Sequence, residues 1–237
     1  MNHPPNANSA RITEIFSSLQ GEGTRLGERH IFVRFEECHI HCAYCDELHK
    51  VGRLMTRQEA FAEILRLEKK DGPHAFVSFT GGEPLIYLDF IKPLAQELRK
   101  AGFKIYLETN GILTPALAEM IGECDLIAMD MKPASVTGEK NFDAEHRQFL
   151  QIARQKETFV KIILSKEIQE AEFIAELSIV RDVAPEVPVI LVPLSAEVEG
   201  HEDPELMQRL HELQRLGSKY VRSVRIVPRL HKILKIK

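Results

Sequence analysis

Three of the four cysteines of this 237-residue chain fall within eight consecutive positions. Cys38, Cys42 and Cys45 form a C-x3-C-x2-C motif directly after an apolar run, whereas Cys124 lies far along the chain. Closely spaced thiols of an intracellular protein indicate metal ligands before disulfides. Structural zinc takes four ligands, and nearby histidines would have to supply the fourth. Three thiolates also suit a 4Fe-4S cube whose fourth iron stays open to another ligand.

A glycine pair lies in a second segment suited to ligand binding. Gly81-Gly82-Glu83-Pro84 follows the next apolar run, and Asp130-Met131-Lys132-Pro133 follows a later one. Glycine lets the backbone approach a ligand closely because it has no Cβ. Glu83 would either face the ligand or only orient the loop. Loops after parallel strands gather at one rim of the sheet, so we expect these segments around one cavity.

Apolar runs that alternate with amphipathic segments position these loops. This alternation predicts right-handed crossovers and a parallel α/β sheet, either open or curved into a barrel with fewer than the eight units of a closed one. The predicted strands are Ile31–Phe35, Ala75–Phe79, Lys104–Glu108, Leu126–Asp130, Phe159–Leu164 and Val187–Val192. The predicted helices are Thr56–Lys69, Ile91–Ala101, Ala144–Arg154, Glu170–Val183 and Pro204–Leu216.

Composition restricts the class of protein. The length predicts one domain, which we place at residues 11–237 after a flexible N-terminus at residues 1–10. No apolar stretch is long enough to cross a membrane, and the polar N-terminus is unlike a signal peptide, so we expect a soluble, cytoplasmic protein. A net charge of −4 disfavours direct nucleic-acid binding.

The chain resembles the radical S-adenosylmethionine (SAM) superfamily in three features taken together. These are the cysteine motif, Tyr44 directly before its third cysteine, and the G-G-E-P segment. This resemblance implies a partial (β/α)6 barrel with an N-terminal extension. It also implies a 4Fe-4S cluster on Cys38, Cys42 and Cys45, with SAM chelating the open iron and yielding a 5′-deoxyadenosyl radical. The residues that it implies for cofactor binding are Tyr44, Cys45, Asp46, Gly82, Glu83, Asp130, Met131 and Lys132.

The segment before the cysteines narrows the resemblance. Leu19-Gln20-Gly21-Glu22-Gly23, followed by Phe32-Val33-Arg34-Phe35, is similar to the 7-carboxy-7-deazaguanine synthase family, as is the ending at 225–232. That family converts 6-carboxy-5,6,7,8-tetrahydropterin to 7-carboxy-7-deazaguanine with loss of ammonia, on the route to queuosine or archaeosine. An amide, a carboxylate and a guanidinium match the polar edge and the carboxylate of a pterin. The implied substrate residues are Leu19, Gln20, Gly21, Glu22, Arg34, Thr80 and His231.

Two segments depart from the family pattern. Many members read C-D-T after the last cysteine, and that threonine binds magnesium, whereas this chain reads Cys45-Asp46-Glu47. Because a carboxylate is a hard oxygen ligand, Glu47 would retain a magnesium ion with altered coordination, or it is a solvated loop residue. Asp130-Met131-Lys132 replaces the S-P-K of some relatives.

The resemblance also implies a homodimer and an external electron donor of flavodoxin or ferredoxin type, and it assigns no catalytic acid or base. Two alternatives stay open at this point. One is an activating enzyme for glycyl-radical enzymes, which shares the cysteine motif but must admit a protein loop. The other is a non-catalytic zinc-binding interaction domain.

Overall fold

A computed structural model describes residues 8–45, 47, 50–194 and 204–236, and its strands form one nine-stranded sheet. The strands are β1 (Ser9–Leu19), β2 (Arg29–Phe35), β3 (Arg53–Thr56), β4 (Phe76–Gly81), β5 (Ile105–Thr109), β6 (Leu126–Met131), β7 (Glu157–Leu164), β8 (Val189–Pro193) and β9 (Val224–Ile226). The α-helices are α1 (Arg57–Asp71), α2 (Leu88–Lys100), α3 (Thr114–Met120), α4 (Ala134–Thr137), α5 (Asp143–Ala153), α6 (Glu170–Val183), α7 (Pro204–Gly217) and α8 (Leu230–Leu234).

The strand order is β3-β1-β2-β4-β5-β6-β7-β8-β9. From β2 to β9 neighbouring strands run parallel, whereas β1 is antiparallel to both β2 and β3. Units β2–α1, β4–α2, β5–α3, β6–α5, β7–α6 and β8–α7 make up a partial (β/α)6 barrel. Strand β1 is the N-terminal extension, and β3, which lies between β2 and α1 in the chain, pairs with it. The predicted fold class is confirmed.

Strand β1 was not foreseen as part of the sheet, because its mixed polar sequence lacks a long apolar run. Ser9 and Ala10 are buried and pair with Thr56 and Met55 of β3. The predicted flexible segment at 1–10 therefore ends too late, since the strand begins at Ser9, and residues 1–7 lie outside the described part of the chain. That residues 11–237 form a single domain stays a prediction.

Two apolar layers stabilise the barrel. Side chains on the outer face of the sheet pack against the helices, as Ile127 of β6 and Val160 of β7 do. Side chains on the inner face, including Tyr106 and Phe159, fill the interior. Burial of these strands on both faces explains why they are almost continuously apolar. Among the described helices, none is long and apolar enough to cross a membrane.

Candidate functional site

The inner face of the barrel changes from apolar to polar at the carboxyl ends of the strands. Successive side chains of a strand point to opposite faces, so residues two apart share a face. One level carries Phe32, Tyr106, Ala128 and Phe159. Two residues further along each strand the next level carries Arg34, Glu108, Asp130 and Lys161. The barrel therefore has an apolar interior beneath a ring of charged groups.

Two adjoining cavities open above this ring, with volumes of about 170 Å³ and about 150 Å³. They form one cleft because they share lining residues, among them Thr80, Glu108 and Asp130. We call one part the cysteine end, which is lined by Cys38, Cys42, Tyr44, Cys45, Gly82 and Lys132. We call the other part the Gln20 end, which is lined by Leu19, Gln20, Gly21, Glu22, Arg34 and His231.

All three cysteines of the motif reach the cysteine end of the cleft. Their loop is fixed by the Cys45 amide, which donates to the Cys42 carbonyl at 3.0 Å, and by apolar packing of Cys42 against Phe142. None of the three is in a disulfide, and the Asn110 amide lies 3.9 Å from the Cys38 Sγ. Burial raises the pKa of both the Cys38 and the Cys42 thiol. Bound cations are therefore needed to hold these sulfurs as thiolates.

The donor set fits an iron–sulfur cluster better than a single ion. Within the described ranges, no three His, Cys, Asp or Glu side chains are grouped so that they would hold one metal ion. In a cube each thiolate binds a different iron, so sulfurs that line one wall are suitable ligands. Cys124 is fully buried before β6, at the opposite end of the barrel from the cleft.

The glycine pair packs directly against the loop that carries the cysteines. Gly81 has a φ of +108°, and a Cβ there would lie 2.4 Å from the Phe35 carbonyl oxygen. A Cβ on Gly82 would lie 2.0 Å from the carbonyl oxygen of Glu37. The Gly82 amide donates to the Phe35 carbonyl at 2.9 Å. Only glycine allows this approach of the two backbones, which forms the wall of the cysteine end.

Glu83 and Met131 do not line the cleft. Glu83 is fully buried and accepts hydrogen bonds from the Leu85 backbone amide at 3.0 Å, the Thr109 hydroxyl at 2.9 Å and the Asn110 backbone amide at 2.8 Å. Burial raises the pKa of Glu83 to about 7, although these hydrogen bonds favour the ionised form. Its carboxyl group thus orients the loop, and Met131 belongs to the outer apolar core.

Glu108 lies at the centre of the Gln20 end. Its carboxylate accepts from the Gln20 amide at 2.9 Å and from the Thr80 hydroxyl at 2.7 Å. The side-chain oxygen of Gln20 in turn accepts from the Glu22 backbone amide at 3.1 Å. The loop after β1 is therefore fastened to the strand ends of β4 and β5.

A chain of alternating charges links the two ends of the cleft. Lys161 Nζ lies 2.7 Å from Glu22 Oε2 and 3.1 Å from Asp130 Oδ1. Arg229 lies 3.0 Å from Glu22 Oε1, and Lys132 lies 3.2 Å from Asp130 Oδ2. Burial raises the pKa of Glu22, but the Lys161 and Arg229 cations outweigh it and lower the pKa to about 2. Glu22 is thus a carboxylate at physiological pH.

Arg34 is paired with two carboxylates. Its guanidinium lies 2.5 Å from Glu47 Oε1 and 3.2 Å from Glu14 Oε1. Lys50 also reaches Glu47 Oε1, at 2.7 Å. The second oxygen, Oε2, is buried and has no hydrogen-bond partner within the described part of the chain. Glu47 thus offers one buried, unsatisfied carboxylate oxygen at the junction of the two ends.

The cleft brings together most of the residues that the sequence analysis singled out, and it adds three. Asp46 lies outside the described residues. Sequence analysis missed the parts played by Glu108, Lys161 and Arg229. The signal was present for two of them, since each is a charged residue on a buried strand with apolar neighbours. Arg229 gave no such signal, because only the fold brings the C-terminal segment to Glu22.

Comparisons with known proteins agree with this geometry. Residues 32–164 match the family model of the radical SAM superfamily. The 7-carboxy-7-deazaguanine synthase of Geobacter sulfurreducens is 32% identical over 95% of this chain and 97% of its own length. That of Methanothermobacter thermautotrophicus is 33% identical over 95% of this chain and 97% of its own length.

A solved structure shows the same fold. The crystal structure of QueE from Escherichia coli matches with a TM-score of 0.64 and 19% identity, over 94% of this chain and 95% of that one. The matching family model covers more than half of the chain, and the relatives at over 30% identity match nearly all of it. The chain therefore belongs to the radical SAM superfamily and, within it, to the 7-carboxy-7-deazaguanine synthase family.

Proposed function

We propose that this protein converts 6-carboxy-5,6,7,8-tetrahydropterin to 7-carboxy-7-deazaguanine with loss of ammonia. One observation carries the proposal beyond family membership: the Gln20 end adjoins the cysteine end in one cleft, with Thr80, Glu108 and Asp130 common to both. A small substrate at the Gln20 end is thus held next to the cofactor. The Gln20 end also presents Gln20, Glu22 and Arg34 together, a polar set that an activating enzyme of glycyl-radical enzymes does not need.

Cofactor chemistry is assigned to the cysteine end. Cys38, Cys42 and Cys45 would hold the 4Fe-4S cluster, and the wall formed by Gly82 together with Tyr44 and Lys132 would contact SAM. When bound, the cluster and SAM supply the electron and the radical that abstracts a hydrogen atom from the substrate. The protein contributes positioning and the exclusion of water.

Substrate binding is assigned to the Gln20 end. Glu22 is held ionised and would accept hydrogen bonds from the guanidine-like edge of the pterin. Gln20 offers a donor and an acceptor beside it, and Thr80 adds a hydroxyl. Arg34 would bind the substrate carboxylate by exchanging one of its present carboxylate partners. Leu19, Gly21 and His231 would complete the wall of the pocket.

A product assay tests the proposed reaction. We would reconstitute the protein with iron and sulfide without oxygen, reduce it, and add SAM and 6-carboxytetrahydropterin. We expect a product with the mass of 7-carboxy-7-deazaguanine, and we expect none from the matched C42S variant. Protein that contains its cluster and cleaves SAM but yields no such product would refute the proposal. Stoichiometric zinc without an iron chromophore would instead favour the zinc-binding alternative.

We further propose that Glu47 binds the magnesium ion that a threonine binds in many relatives. Its buried Oε2 oxygen supports this, since a carboxylate oxygen is a preferred Mg²⁺ ligand and this one lacks another described partner. With wild-type protein we expect activity to fall when Mg²⁺ is removed by chelation and to return when it is added. With E47Q we expect a higher Mg²⁺ concentration at half-maximal activity. Activity that is indifferent to Mg²⁺ would contradict this assignment.

We also propose a cytoplasmic homodimer that receives its electron from a flavodoxin- or ferredoxin-type donor. Unpaired cysteines support a reducing compartment. Exposed apolar side chains near the C-terminus, Ile233 and Leu234, support self-association. Sedimentation analysis of the full chain tests this point, and a monomer at micromolar concentration would contradict it.

A further inference from the structure

Lys161 occupies an unusual place for a lysine. It lies on the inner face of β7 between Phe159 and Ile163, with only 5% of its surface exposed. Burying an ammonium group costs several kcal/mol unless it is paired and hydrogen-bonded. Two carboxylates provide that pairing, and both belong to the cleft. The lysine is therefore explained by the site, because packing alone would favour an apolar residue.

The two carboxylates differ in position within the cleft. Glu22, on the loop after β1, lines the Gln20 end alone, whereas Asp130 of β6 lines both the Gln20 end and the cysteine end. In the sheet Asp130 is the direct register partner of Lys161. The carboxylate oxygen that does not contact Lys161 is held by a different cation in each case. Arg229 holds Oε1 of Glu22, and Lys132 holds Oδ2 of Asp130. Lys161 is the cation between them.

We infer that Lys161 is a positioning residue that orients Glu22 toward the substrate and fixes it relative to the cofactor end of the cleft. This inference rests on the proposed function and extends it to a residue outside the motifs of the sequence. Lys161 acts through Glu22: it holds Oε2, and Arg229 holds Oε1, of a carboxylate that lines the Gln20 end. It also separates two anions that would otherwise repel each other across the cleft.

The charged groups around this pair set its response to pH. Burial opposes the charge of Lys161, but Asp130, Glu22 and Glu108 outweigh it and raise its pKa well above the usual value. With the lysine in place, Glu22 stays ionised far below neutral pH. Without it, burial would raise the pKa of Glu22, and only Arg229 and His231 would oppose that rise. Glu22 is faced by Lys161 from β7 and by Arg229 and His231 from the C-terminal segment.

A double-mutant cycle tests the inference. The variants are K161M, which keeps an unbranched apolar stem as far as Cε without the ammonium group, E22Q, and the combination E22Q/K161M. K104M is the matched control, since Lys104 is exposed just before β5 and away from the cleft. Each protein is assayed for KM, for kcat and for 5′-deoxyadenosine released per product formed. Iron content and the melting temperature report on folding.

We expect K161M to raise the KM for the pterin by about tenfold or more, as loss of a charge-assisted hydrogen bond does. We expect it to release more 5′-deoxyadenosine per product because the substrate is no longer held in a fixed position next to the cysteine end. Because Glu22 of K161M then becomes protonated at a higher pH than in wild type, its KM should begin to rise with falling pH before that of wild type or K104M does. E22Q/K161M should be no worse than E22Q, and it should lack the pH dependence.

Three results would overturn the inference. One is a K161M protein with the KM and pH profile of wild type. Another is additivity of the two substitutions, which would show that Lys161 acts independently of Glu22. The third concerns the double variant, which lacks both charges of the pair and replaces K161M if that protein fails to fold. Its KM is expected to equal that of E22Q, and a higher KM would overturn the inference. Wild-type protein that forms no product would refute the proposed function itself, which is a separate outcome.

Discussion

Replacement of Gly82 by alanine tests the wall of the cysteine end, which the glycine pair forms together with the loop that carries the cysteines. The added Cβ would lie 2.0 Å from the Glu37 carbonyl oxygen and 2.5 Å from its carbon, so backbone must move. Over-packing of this kind costs about 1–3 kcal/mol. For a chain of this size we expect a melting temperature lower by about 2–12 °C. Since the wall lines the cysteine end, we also expect weaker SAM binding.

Gly122 provides the matched control. It lies in the 3-10 helix Ile121–Glu123, and a Cβ there would meet no atom within 4 Å. G122A should therefore be as stable as wild type or more stable by about 0.4–1 kcal/mol, because alanine restricts the unfolded chain. The assays are calorimetric melting of cluster-loaded protein without oxygen and equilibrium binding of SAM. If G82A has the same melting temperature as G122A and binds SAM as wild type does, then the close approach of Gly82 to the Glu37 backbone is not what requires glycine at this position.

Two further predictions concern buried groups away from the cleft. Burial lowers the pKa of His30 to about 4, so between about pH 6.5 and about pH 4 the unfolded state binds more protons than the folded state. We therefore expect the free energy of unfolding to fall by about 2 kcal/mol from pH 7 to pH 5, in urea titrations, and this part of the loss to be absent in H30Q. Cys124 is a buried thiol whose pKa burial raises to about 12. C124A should keep its full iron content and cluster absorption, whereas C42A should lose them; loss in C124A would refute its exclusion from the site.

The order of the six predicted strands and five predicted helices is confirmed, because these parallel strands are buried on both faces, whereas the short elements β3, β9, α3, α4 and α8 were not predicted. Apolar runs such as Phe159–Leu164 therefore stand out, and observed and predicted bounds differ by only a few residues. Strand β1 was not predicted, because one of its faces carries polar side chains and because its partners β2 and β3 come later in the chain. Its pairing depends on contacts that no local pattern contains.

Site residues divide in the same way. Cysteine spacing and the glycine pair are local, and the cysteines and Gly82 do reach one cleft. Glu83 lies within the same motif, yet its side chain does not line the cleft, because the Leu85 amide of its own loop and two donors at the end of β5, from Thr109 and Asn110, hold it. Lys161 and Glu22 are far apart in the sequence, so their ion pair becomes visible only in three dimensions. Motifs thus predicted which loops meet, but not which side chains pair.

The sheet ends in short strands on both sides, and this has a consequence for solubility. β3 has four residues and β9 has three, and Pro228 follows soon after β9. An open sheet presents unpaired peptide groups along its outermost strands, where another chain can add and start aggregation. Brief terminal strands shorten that template on each side. An incomplete barrel can thereby keep a wide mouth for its ligands without recruiting further strands.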